Sequence, residues 1–583
     1  MGSATRPRSI DPADGVTAAA MTAALPWPAL APPERGWFTP ARILAIILGL
    51  ATLVRLLIAS GVGFLTGDDV EVLEAAFVSA TGLDYRPWEI RNLFFPRLLV
   101  SPVLALAGAL GVHDPFWLVR IAALPFVALT AISGWLVYRL AVRLTDVKTA
   151  LLAAGIFSFH WLPLAYGGTV YPRTASTTCI LLAALLLIGD GRELAREAGA
   201  GALVALAFAD RYSEAIFLGA FLLFALRAGR SWAARLRGVA GLGLGFVAGA
   251  LVTVGLCDLY FWGKPFASLV AFARYTLLEK RASAQTVHQP LLWYLMRFYL
   301  WLPPTLLPLF LTLRRRSHLL LPWLSVSVPL LLLSLIHHKE LRYLQGVVPF
   351  LAILLAVGAT SLWYSGRRRW TVALLSASLL LSLNMARSVL SRRSIAAVEA
   401  AHVIRADPTL KTVALSQAWA YGHRLFFGNG VAVLDPSTPP TEAEVRTAIA
   451  QADAIALYVS DVARSPNVGR LIDQAGLVRA GEFRGWNSKP VVLFRFRHSE
   501  PSTLPVDRDV KAVRVGDRKH VCPPRGCRGA LSVTAAGTDV GREGVEVLYR
   551  RRIDPETDAL RSVATLRPVV LDERQLAVAG EQR

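Results

Sequence analysis

The chain has 583 residues, 54% of them hydrophobic, and its mean hydropathy is +0.46. About nine apolar runs reach the roughly 18 residues that a helix needs to cross a bilayer, which excludes a soluble globular protein. The formal net charge is +21, but much of this excess lies in short loops between apolar runs, where Lys and Arg set membrane orientation. The sequence therefore predicts an all-α polytopic membrane protein without a nucleic-acid partner.

Residues 1–41 are rich in Ala and Pro and lack an apolar core followed by a small-residue cleavage site. We predict a disordered cytoplasmic N-terminus there, and the first span serves as the membrane signal. The predicted spans lie near 42–64, 116–138, 149–167, 171–189, 238–262, 291–313, 319–336, 343–364 and 370–390.

Two further apolar stretches are interrupted by polar residues. Arg97 and Pro102 lie within 93–111, and Asp210-Arg211-Tyr212 lies within 198–226. Each stretch is predicted to be a re-entrant hairpin, an interfacial helix or a broken pair of helices, because irregular backbone at membrane depth is tolerated only where it lines a protein cavity. With these stretches the prediction is about 9–13 membrane segments.

Clusters of arginine and lysine between the spans predict the orientation of the chain. By the positive-inside rule they lie in the cytoplasm, and they comprise Arg35 and Arg42, Arg139 to Lys148, Arg227 to Arg237, Arg314 to Arg316, and Arg367 to Arg369. The opposite, external face then receives the first loop 65–92, the segment Thr169–Arg173, the loop 263–290, the turn 337–343 and the C-terminal residues. A texture rich in Ala, Arg and Leu indicates a bacterial inner membrane, so this face is predicted to be periplasmic.

After Arg393 the apolar runs give way to β-prone stretches at 412–416, 431–435, 453–459 and 490–496, with helix-like stretches at 441–451 and 467–476. Alternating strands and helices predict a small α/β domain. We therefore divide the chain into a membrane domain at 42–390, an external α/β domain at 391–497 and a poorly ordered tail at 498–583. In the tail, Cys522 and Cys527 can pair in an oxidising compartment, and the sequence does not decide whether they do.

The first external loop begins with Gly67-Asp68-Asp69, directly after the first span. One interpretation is a helix start, because Asp is a good N-cap and an acid suits the first helical turn. The other is a general base at the membrane surface that accepts the proton of a hydroxyl group. Later in this loop, Arg91 is the residue best suited to grip a phosphate through two parallel hydrogen bonds.

Two groups of charged residues lie within or beside predicted spans, where a charge needs a partner or a function. Asp258 lies inside 238–262, and it can pair with an arginine, orient a substrate hydroxyl or reach the interface. The turn His337–Tyr343 carries Lys339 and Arg342, which share one face if the segment is helical. On the external face they lie at the depth of a lipid-linked phosphate. The alternative is a basic interfacial flank.

These charged groups, in this order, resemble motifs of glycosyltransferase family 22, the GT-C-fold mannosyltransferases of GPI-anchor and N-glycan assembly. The resemblance covers residues 43–385. Its most specific part is His338-Lys339-Glu340-Leu341-Arg342-Tyr343, which is similar to the family's His-Lys-Glu-Glu-Arg-Phe. The other matching stretches are Asp68-Asp69, Pro87-Trp88-Glu89-Ile90-Arg91-Asn92-Leu93 with Pro96, Asp258 to Gly263, and Pro290 to Tyr294.

The chain departs from the family's pattern at two places. Asp69 stands where the family has Glu, and Tyr171-Pro172-Arg173-Thr174 lacks the Asn of the family's Arg-Thr-x-Ser-Asn segment. The α/β domain at the C-terminal side is a further difference from the eukaryotic members. These departures bear on the acceptor and the sugar more than on the type of reaction.

The resemblance implies an inverting, metal-independent transfer of a sugar, expected to be mannose, from a polyprenyl-phosphate-linked donor to a glycan or glycolipid acceptor, with no cofactor. It implies that Asp68 or Asp69 is the catalytic base. The donor phosphate and the substrate are then held by Arg91, Asp258, His338, Lys339, Glu340 and Arg342. No metal is expected, since the adjacent His337 and His338 point to different helix faces and have no third ligand in view.

Three alternatives stay open on the sequence. The first is a GT-C transferase that uses another sugar to modify lipid A or a protein. The second is a flippase or transporter of lipid-linked sugars, which also needs cations for the phosphate. A transporter more often has two similar halves, and the sequence contains no such repeat. The third is a structural subunit in which the charged groups pair with one another.

Overall fold

The computed structural model describes residues 39–81, 89–189, 194–228, 231–279, 289–302, 306–312, 319–336, 338–427, 430–437, 439–484, 489–496, 511–515 and 518–522. The chain forms two compact units. The first comprises Met1–Ser60, Glu89–Phe95 and Ala123–Arg387, and the second comprises Gly61–Trp88, Pro96–Ala122 and Ser388–Arg583. The predicted N-terminal segment lies outside the described residues as far as residue 38.

Helices dominate the described chain. In order they are α1 (Pro40–Ser60), α2 (Gly67–Thr81), α3 (Ser101–Ala109), α4 (Pro115–Leu144), α5 (Val147–Phe159), α6 (Trp161–Tyr166), α7 (Arg173–Ile188), α8 (Leu194–Asp210), α9 (Ile216–Ala228), α10 (Trp232–Ala250), α11 (Cys257–Trp262), α12 (Ala267–Ala273), α13 (Trp293–Met296), α14 (Phe298–Trp301), α15 (Leu306–Thr312), α16 (Leu320–Leu335), α17 (Val348–Tyr364), α18 (Arg368–Leu390), α19 (Ile395–Ala406), α20 (Arg424–Phe427), α21 (Glu442–Gln451), α22 (Val459–Arg464) and α23 (Pro466–Gln474). Short 3₁₀ and π segments join several of them, at Pro96–Val100, Tyr212–Ala215, Leu251–Leu256, Arg274–Leu278, Leu341–Leu344 and Ala418–Tyr421.

Four helical runs in the described residues are long and apolar enough to cross a membrane: Pro40–Ser60, Pro115–Leu144, Trp232–Trp262 and Arg368–Ala406. A helix rises about 1.5 Å per residue, so even the shortest of them, at 21 residues, spans a hydrocarbon core of about 30 Å. Five shorter apolar helices accompany them: Pro96–Ala109, Val147–Phe159, Arg173–Ile188, Leu320–Leu335 and Val348–Tyr364. The prediction of a helical polytopic membrane protein is confirmed.

Several predicted spans are broken. The stretch 149–167 divides at His160, whose ψ of 136° ends α5 before α6 begins. The carbonyl groups at this break are satisfied by the fully buried Arg55 of α1, which donates to Ser158 O at 2.7 Å and to Pro163 O at 3.0 Å. Backbone at membrane depth needs such partners because no water is present to supply them.

Two other stretches are also divided. The stretch 198–226 becomes α8 and α9, joined by the 3₁₀ segment Tyr212–Ala215, which corresponds to the broken pair among the predicted alternatives. The described residues of the stretch 291–313 form three short helices, α13 to α15. The sequence Pro303-Pro304 lies between the last two, and proline removes the backbone donor that a continuous helix requires.

Helices α8 and α10 of the first unit approach one another closely through glycine. A Cβ on Gly201 would overlap the carbonyl oxygen of Leu242, and a Cβ on Gly245 would overlap that of Ala198. Small residues allow membrane helices to pack backbone against backbone, where dispersion contacts replace the hydrophobic effect that lipid cannot supply. These glycines therefore fix the packing of α8 on α10.

The second unit contains a five-stranded sheet. Its strands are β1 (Thr412–Leu415), β2 (Ala432–Leu434), β3 (Ala454–Tyr458), β4 (Leu477–Phe483) and β5 (Val491–Phe496), in the order β2-β1-β3-β5-β4. β1 is parallel to β2 and β3, with Val413 beside Ala454, and β5 is antiparallel to β3 and β4. The central strands β1 and β3 are continuous apolar runs, as strands buried on both faces require.

Helices cover this sheet. Ile455 of β3, Val445 of α21, and Val468 and Ile472 of α23 form one buried apolar cluster. Helix α19 contacts β4 and β5, and directly after it Asp407 accepts a hydrogen bond at 2.5 Å from Arg495 of β5. The arrangement is the small α/β domain that the sequence predicts.

Another pair of strands lies in the stretch for which the sequence predicts poor order. β6 (Lys511–Val515) and β7 (Arg518–Cys522) are antiparallel, with Lys511 beside Cys522. The rest of 498–583 lies outside the described residues, and so does Cys527. The structure therefore does not test whether Cys522 pairs with Cys527, which the sequence leaves undecided.

Candidate active site

The turn between α16 and α17 holds a buried lysine. Lys339 is 5% exposed, and its ammonium donates to the backbone oxygen of Ile336 at 2.5 Å and of Gln289 at 3.2 Å. In the described chain these two carbonyl groups are its hydrogen-bond partners. Burial lowers the pKa of Lys339 because it penalises the charged form. Buried charges in proteins are usually paired, and the described partners of this ammonium are neutral carbonyl groups.

Glu340 and Arg342 form an ion pair next to this lysine. Glu340 also lies 3.1 Å from His338 Nε2. Burial alone would raise the pKa of Glu340, but the contacts with His338 and Arg342 outweigh it and lower this pKa. Glu340 is therefore an ionised group that orients Arg342. His337, the other histidine of the turn, lies outside the described residues.

The turn is not an α-helix at its lysine. Glu340 is extended, with φ −138° and ψ 144°, and the 3₁₀ segment begins at Leu341. Lys339 and Arg342 consequently do not share the helical face that a helical turn would have given them. The buried Tyr294 supports the extended backbone, because its hydroxyl donates to Glu340 O at 3.1 Å.

A second arginine joins the turn from α7. The Arg173 guanidinium lies 4.6 Å from the centre of the Tyr343 ring, and the Arg342 guanidinium lies 6.0 Å from the same ring. A ring face attracts cations through its quadrupole, so Tyr343 is a contact that the two arginines share. Arg173 also pairs with the buried Glu214 and donates to Ser213 Oγ at 2.9 Å.

Arg173 and Glu214 are residues that sequence reasoning did not assign. Their signals were weak: Arg173 falls in the segment that departs from the family's pattern, and Glu214 follows the polar interruption of 198–226. The two side chains are 41 positions apart in the sequence. No local periodicity links residues at that separation.

Asp258 is an anchor within the first unit. It is fully buried, and it accepts hydrogen bonds from Asn92 Nδ2 at 3.1 Å, from Ser268 N at 2.8 Å and from Ser268 Oγ at 2.5 Å. Ser268 also lies 2.5 Å from the hydroxyl of Tyr212, in the 3₁₀ segment that carries Glu214. Asp258 therefore fixes Asn92, and with it the half-buried neighbour Arg91, on α11.

In the second unit, the predicted acidic pair begins α2. Asp69 is 2% exposed, and its two carboxylate oxygens accept hydrogen bonds at 3.0 Å from Leu65 N and from Thr66 Oγ1. These bonds close the turn at the helix start. Asp68, one residue earlier, is half-buried. The two aspartates are thus in different environments, although their adjacent positions in the sequence do not distinguish them.

The loop before α2 is held by the start of the C-terminal part of the second unit. Ser394 Oγ accepts from Phe64 N at 3.0 Å, and the Arg393 guanidinium donates to Gly63 O at 3.0 Å and to Gly61 O at 2.6 Å. Three hydrogen bonds to backbone groups leave this loop little conformational freedom. They fix the position from which Asp68 and Asp69 begin the helix.

The loop after β1, residues 416–427, contacts α2 directly; we call it the β1 loop. Its Trp419 ring packs over Gly67, and its His423 Nδ1 lies 2.7 Å from the buried Glu74 Oε1. Sequence reasoning did not assign Trp419 or His423. Their position directly after a parallel strand was the available signal, since ligand sites occur at such strand ends.

Comparison with known proteins decides the family. A profile of the Alg9-like mannosyltransferase family matches residues 50–418. The chain belongs to the Alg9-like mannosyltransferase family. No curated protein sequence matches it.

Solved structures show the fold of this family member. ArnT from Cupriavidus metallidurans bound to undecaprenyl phosphate is similar to this chain with a TM-score of 0.54 at 12% identity, over 79% of this chain and 99% of that chain. ArnT of the same organism in the apo state gives 0.53 at 11% identity, over 78% of this chain and 98% of that chain. The fold is the GT-C fold, as predicted.

Membership in the Alg9-like family makes the protein a membrane glycosyltransferase, and it excludes the flippase and structural-subunit alternatives. The family match includes the His338–Tyr343 turn and α2 and ends inside the β1 loop. In the described residues no group of three or more His, Cys, Asp or Glu side chains is placed to hold a metal ion.

Proposed function

We propose that this Alg9-like glycosyltransferase moves mannose from a polyprenyl-phosphate-linked donor to a glycan or glycolipid acceptor, with inversion and without a metal ion. The observation that carries the proposal is Lys339, a buried ammonium whose partners in the described chain are two carbonyl groups. A donor phosphate there supplies the negative charge that the burial of a cation requires. The undecaprenyl phosphate bound to ArnT is a ligand of this class.

The cations of the turn assist departure of the phosphate. The acceptor oxygen attacks the anomeric carbon, the bond from that carbon to the phosphate oxygen breaks, and polyprenyl phosphate leaves with the bonding electrons. Lys339 and Arg342 stabilise the negative charge that develops on this oxygen. Arg173 shares the Tyr343 ring with Arg342 and adds a third cation, and Arg91 assists at the phosphate.

Other residues of the predicted set have positioning roles. Glu340 orients Arg342 through the ion pair between them, and His338 holds Glu340 in place through its own contact with that carboxylate. Asp258 positions Arg91 through Asn92 and does not touch substrate.

Asp68 is the proposed base. It takes the proton of the acceptor hydroxyl as that oxygen attacks. Asp69 is less suited, because both its oxygens already accept hydrogen bonds that close the turn before α2. We therefore expect a low rate of polyprenyl phosphate release in Asp68→Asn. The rate in Asp69→Asn is expected to be higher, because this change only weakens the hydrogen bonds that close the turn before α2.

The site is proposed to face the periplasm of a bacterial inner membrane, opposite the arginine-rich loops. A lipid-linked donor is held by the bilayer at a fixed depth, which restricts its orientation before reaction. The membrane lipid thus surrounds the helices and also holds the donor in position for the reaction.

The test uses the full chain in nanodiscs with polyprenyl-phosphate-mannose, a panel of mannoside and glycolipid acceptors, and release of polyprenyl phosphate as the readout. We expect turnover in wild type, and at least a hundredfold loss in Lys339→Ala and Arg342→Ala. The exposed Lys411→Ala is the matched control and keeps wild-type turnover. Wild-type rates in both site variants, or no release from wild type with mannose, glucose or arabinose donors, would overturn the proposal.

A further inference from the structure

The two oxygens of the Asp258 carboxylate bond to different parts of the first unit. Oδ1 accepts a hydrogen bond from Asn92 Nδ2 at 3.1 Å, and Asn92 directly follows Arg91. Oδ2 accepts from Ser268 N at 2.8 Å and from Ser268 Oγ at 2.5 Å. One fully buried side chain of α11 therefore joins the backbone next to Arg91 to the start of α12.

The side chain of Asn92 is held at three points. Besides its bond to Asp258, Nδ2 donates to Thr253 O at 3.2 Å, and Oδ1 accepts from Phe94 N at 2.9 Å. A buried amide whose donors and acceptor are all bonded fixes the backbone around it. The position of Arg91 consequently depends on Asp258.

A hydrogen-bond chain continues from Ser268 to the 3₁₀ segment that follows α8. The hydroxyl groups of Ser268 and Tyr212 lie 2.5 Å apart. The single hydroxyl proton of Ser268 goes to Asp258, so Tyr212 is the donor to Ser268. The Tyr212 ring lies between Phe208 of α8 and Phe272 of α12, with ring centres 4.9 Å and 5.1 Å away. The ring and its hydroxyl together hold the segment against α12.

The same 3₁₀ segment holds Arg173. Ser213 and Glu214 directly follow Tyr212 in this segment. Ser213 Oγ accepts from Arg173 Nη2 at 2.9 Å, and Glu214 forms the buried ion pair with the same guanidinium. The donors of a guanidinium have a rigid planar arrangement, so two adjacent acceptors determine its direction. A shift of the segment would therefore turn Arg173.

We propose that Tyr212 and Ser268 are positioning residues that, through Asp258, hold Arg173 in a fixed relation to Arg91 at the donor phosphate. Arg91 interacts electrostatically with the Tyr212 hydroxyl, which supports the nearness of the two arginines to one segment. Donors fixed before the reaction stabilise a developing charge without the cost of reorganisation. The inference rests on the proposed function, because that proposal assigns both arginines to the phosphate. In this role neither hydroxyl touches the donor.

The first test is Tyr212→Phe in the full chain in nanodiscs, because this change removes one hydroxyl and keeps the packed ring. We expect kcat/KM for the donor to fall about tenfold, the equivalent of one hydrogen bond in a charged network, and the acceptor KM to stay unchanged. Ser268→Ala has a similar effect, and the two changes together lower the rate no further than Ser268→Ala alone, since the two hydroxyls form one link. Tyr299→Phe, at a tyrosine that is 56% exposed, is the control and changes neither value.

The second test separates positioning from a general role in stability. Tyr212→Phe is introduced into the double variant Arg173→Met with Glu214→Gln, in which the positioned cation is absent. We expect kcat/KM for the donor to change by less than about twofold there, because residues that act through one another are not additive. A tyrosine that only stabilised the fold would lower the rate by the same factor in both backgrounds. That result, or an unchanged kcat/KM in Tyr212→Phe alone, overturns the proposal.

Failure of the proposed function is distinguishable from failure of this inference. Binding of tritiated polyprenyl phosphate to the same proteins in nanodiscs is measured alongside turnover. If wild type binds this lipid but transfers no sugar, the proposed function fails. An affinity loss of about tenfold in Tyr212→Phe, absent from the Arg173→Met with Glu214→Gln background, then still supports the positioning role. Equal affinity in wild type and Tyr212→Phe, or no binding to wild type, overturns it.

Discussion

At the scale of single residues, the proposed phosphate site at Lys339 predicts how the enzyme responds to pH. Its ammonium must be protonated to attract a phosphate, and burial lowers its pKa from the ordinary value of 10.5. The charge is consequently lost at a lower pH than for an exposed lysine. If Lys339 binds the donor phosphate, we expect donor affinity to be present below that pKa and to decline as pH rises through it.

Lys339→Arg tests this dependence. Arginine stays charged at every accessible pH, so the variant loses the alkaline decline of kcat/KM for the donor that wild type shows. Its rate at neutral pH is lower, because a planar guanidinium does not fit the two carbonyl groups that hold the ammonium. The pH profile of polyprenyl phosphate release is the measurement, with the exposed Lys411→Arg as control. The same decline of kcat/KM at alkaline pH in wild type and in Lys339→Arg would contradict the assignment of Lys339 to the donor phosphate.

Variants of Arg173 can distinguish a role in stability from a role in catalysis. Arg173→Met leaves Glu214 buried and unpaired, which destabilises the fold by about 3–5 kcal/mol. The double variant Arg173→Met with Glu214→Gln removes both charges and recovers most of that stability. If Arg173 acts on the donor, the double variant melts near wild type yet keeps a reduced kcat/KM. Full recovery of activity together with stability would show that Arg173 is only structural.

The sequence predicts some of these residues and not others for a physical reason. Lys339 and Arg342 are close together in a charged turn between two apolar runs, and such a turn is conspicuous in any sequence. Glu214 and Trp419 act through partners far away in the chain, and nothing in their local sequence reveals those partners. The different environments of Asp68 and Asp69 were also hidden, because they depend on which backbone groups the fold places nearby.

At the scale of elements, glycine in α10 controls helix packing. Gly245 faces the backbone of α8, and Gly243, two residues earlier on the same helix, has open space where a Cβ would lie. Gly245→Val therefore forces the helices apart, at a cost of about 1–3 kcal/mol for overpacking. Gly243→Val is the matched control and costs little. Thermal unfolding of the purified variants in detergent measures both, and equal melting temperatures would refute the close packing.

Apolar runs predict helices well and their interruptions poorly. The runs at 42–64 and 370–390 correspond to long helices, because each is predominantly apolar and contains no proline. The break at His160 depends on Arg55, which is about a hundred residues earlier and supplies donors to the open carbonyl groups. In the α/β domain, the predicted strand 453–459 matches β3 closely, whereas β4, with Arg479 and Glu482, was too polar to be predicted.

At the scale of the whole molecule, the proposed orientation has a direct test. Ser365→Cys lies at the end of α17 that we propose to be cytoplasmic, and Ala443→Cys lies in the α/β domain; both positions are exposed. In a background in which Cys179, Cys257, Cys522 and Cys527 are replaced by Ala, a membrane-impermeant maleimide applied to intact bacterial spheroplasts should label Ala443→Cys and spare Ser365→Cys. Lysed cells, in which both react, provide the control. The reverse pattern would place the site in the cytoplasm.

The division of the chain into a membrane domain at 42–390 and an α/β domain at 391–497 remains a proposal about independent folding. The contacts of the β1 loop with α2 indicate that the α/β domain needs the first external loop, since Glu74 and Gly67 lie in the same unit as the sheet. Residues 391–497 produced alone would therefore expose the surface that α2 covers around Trp419 and His423 in the full chain.

The hydrogen bonds that hold the loop before α2 also determine how early during synthesis this loop can reach its final conformation. Phe64 can bond to Ser394 only after the ribosome has made the residue 330 positions later, and Gly61 can bond to Arg393 only after the residue 332 positions later has been made. At about 5–20 residues per second, a ribosome needs on the order of a quarter of a minute to a minute to make that interval. The aspartates emerge early, but their loop reaches its final shape only after the last apolar helix has been made. A chain released early therefore lacks the hydrogen bonds that shape the loop before α2, and we expect it to lack the proposed base in its final position.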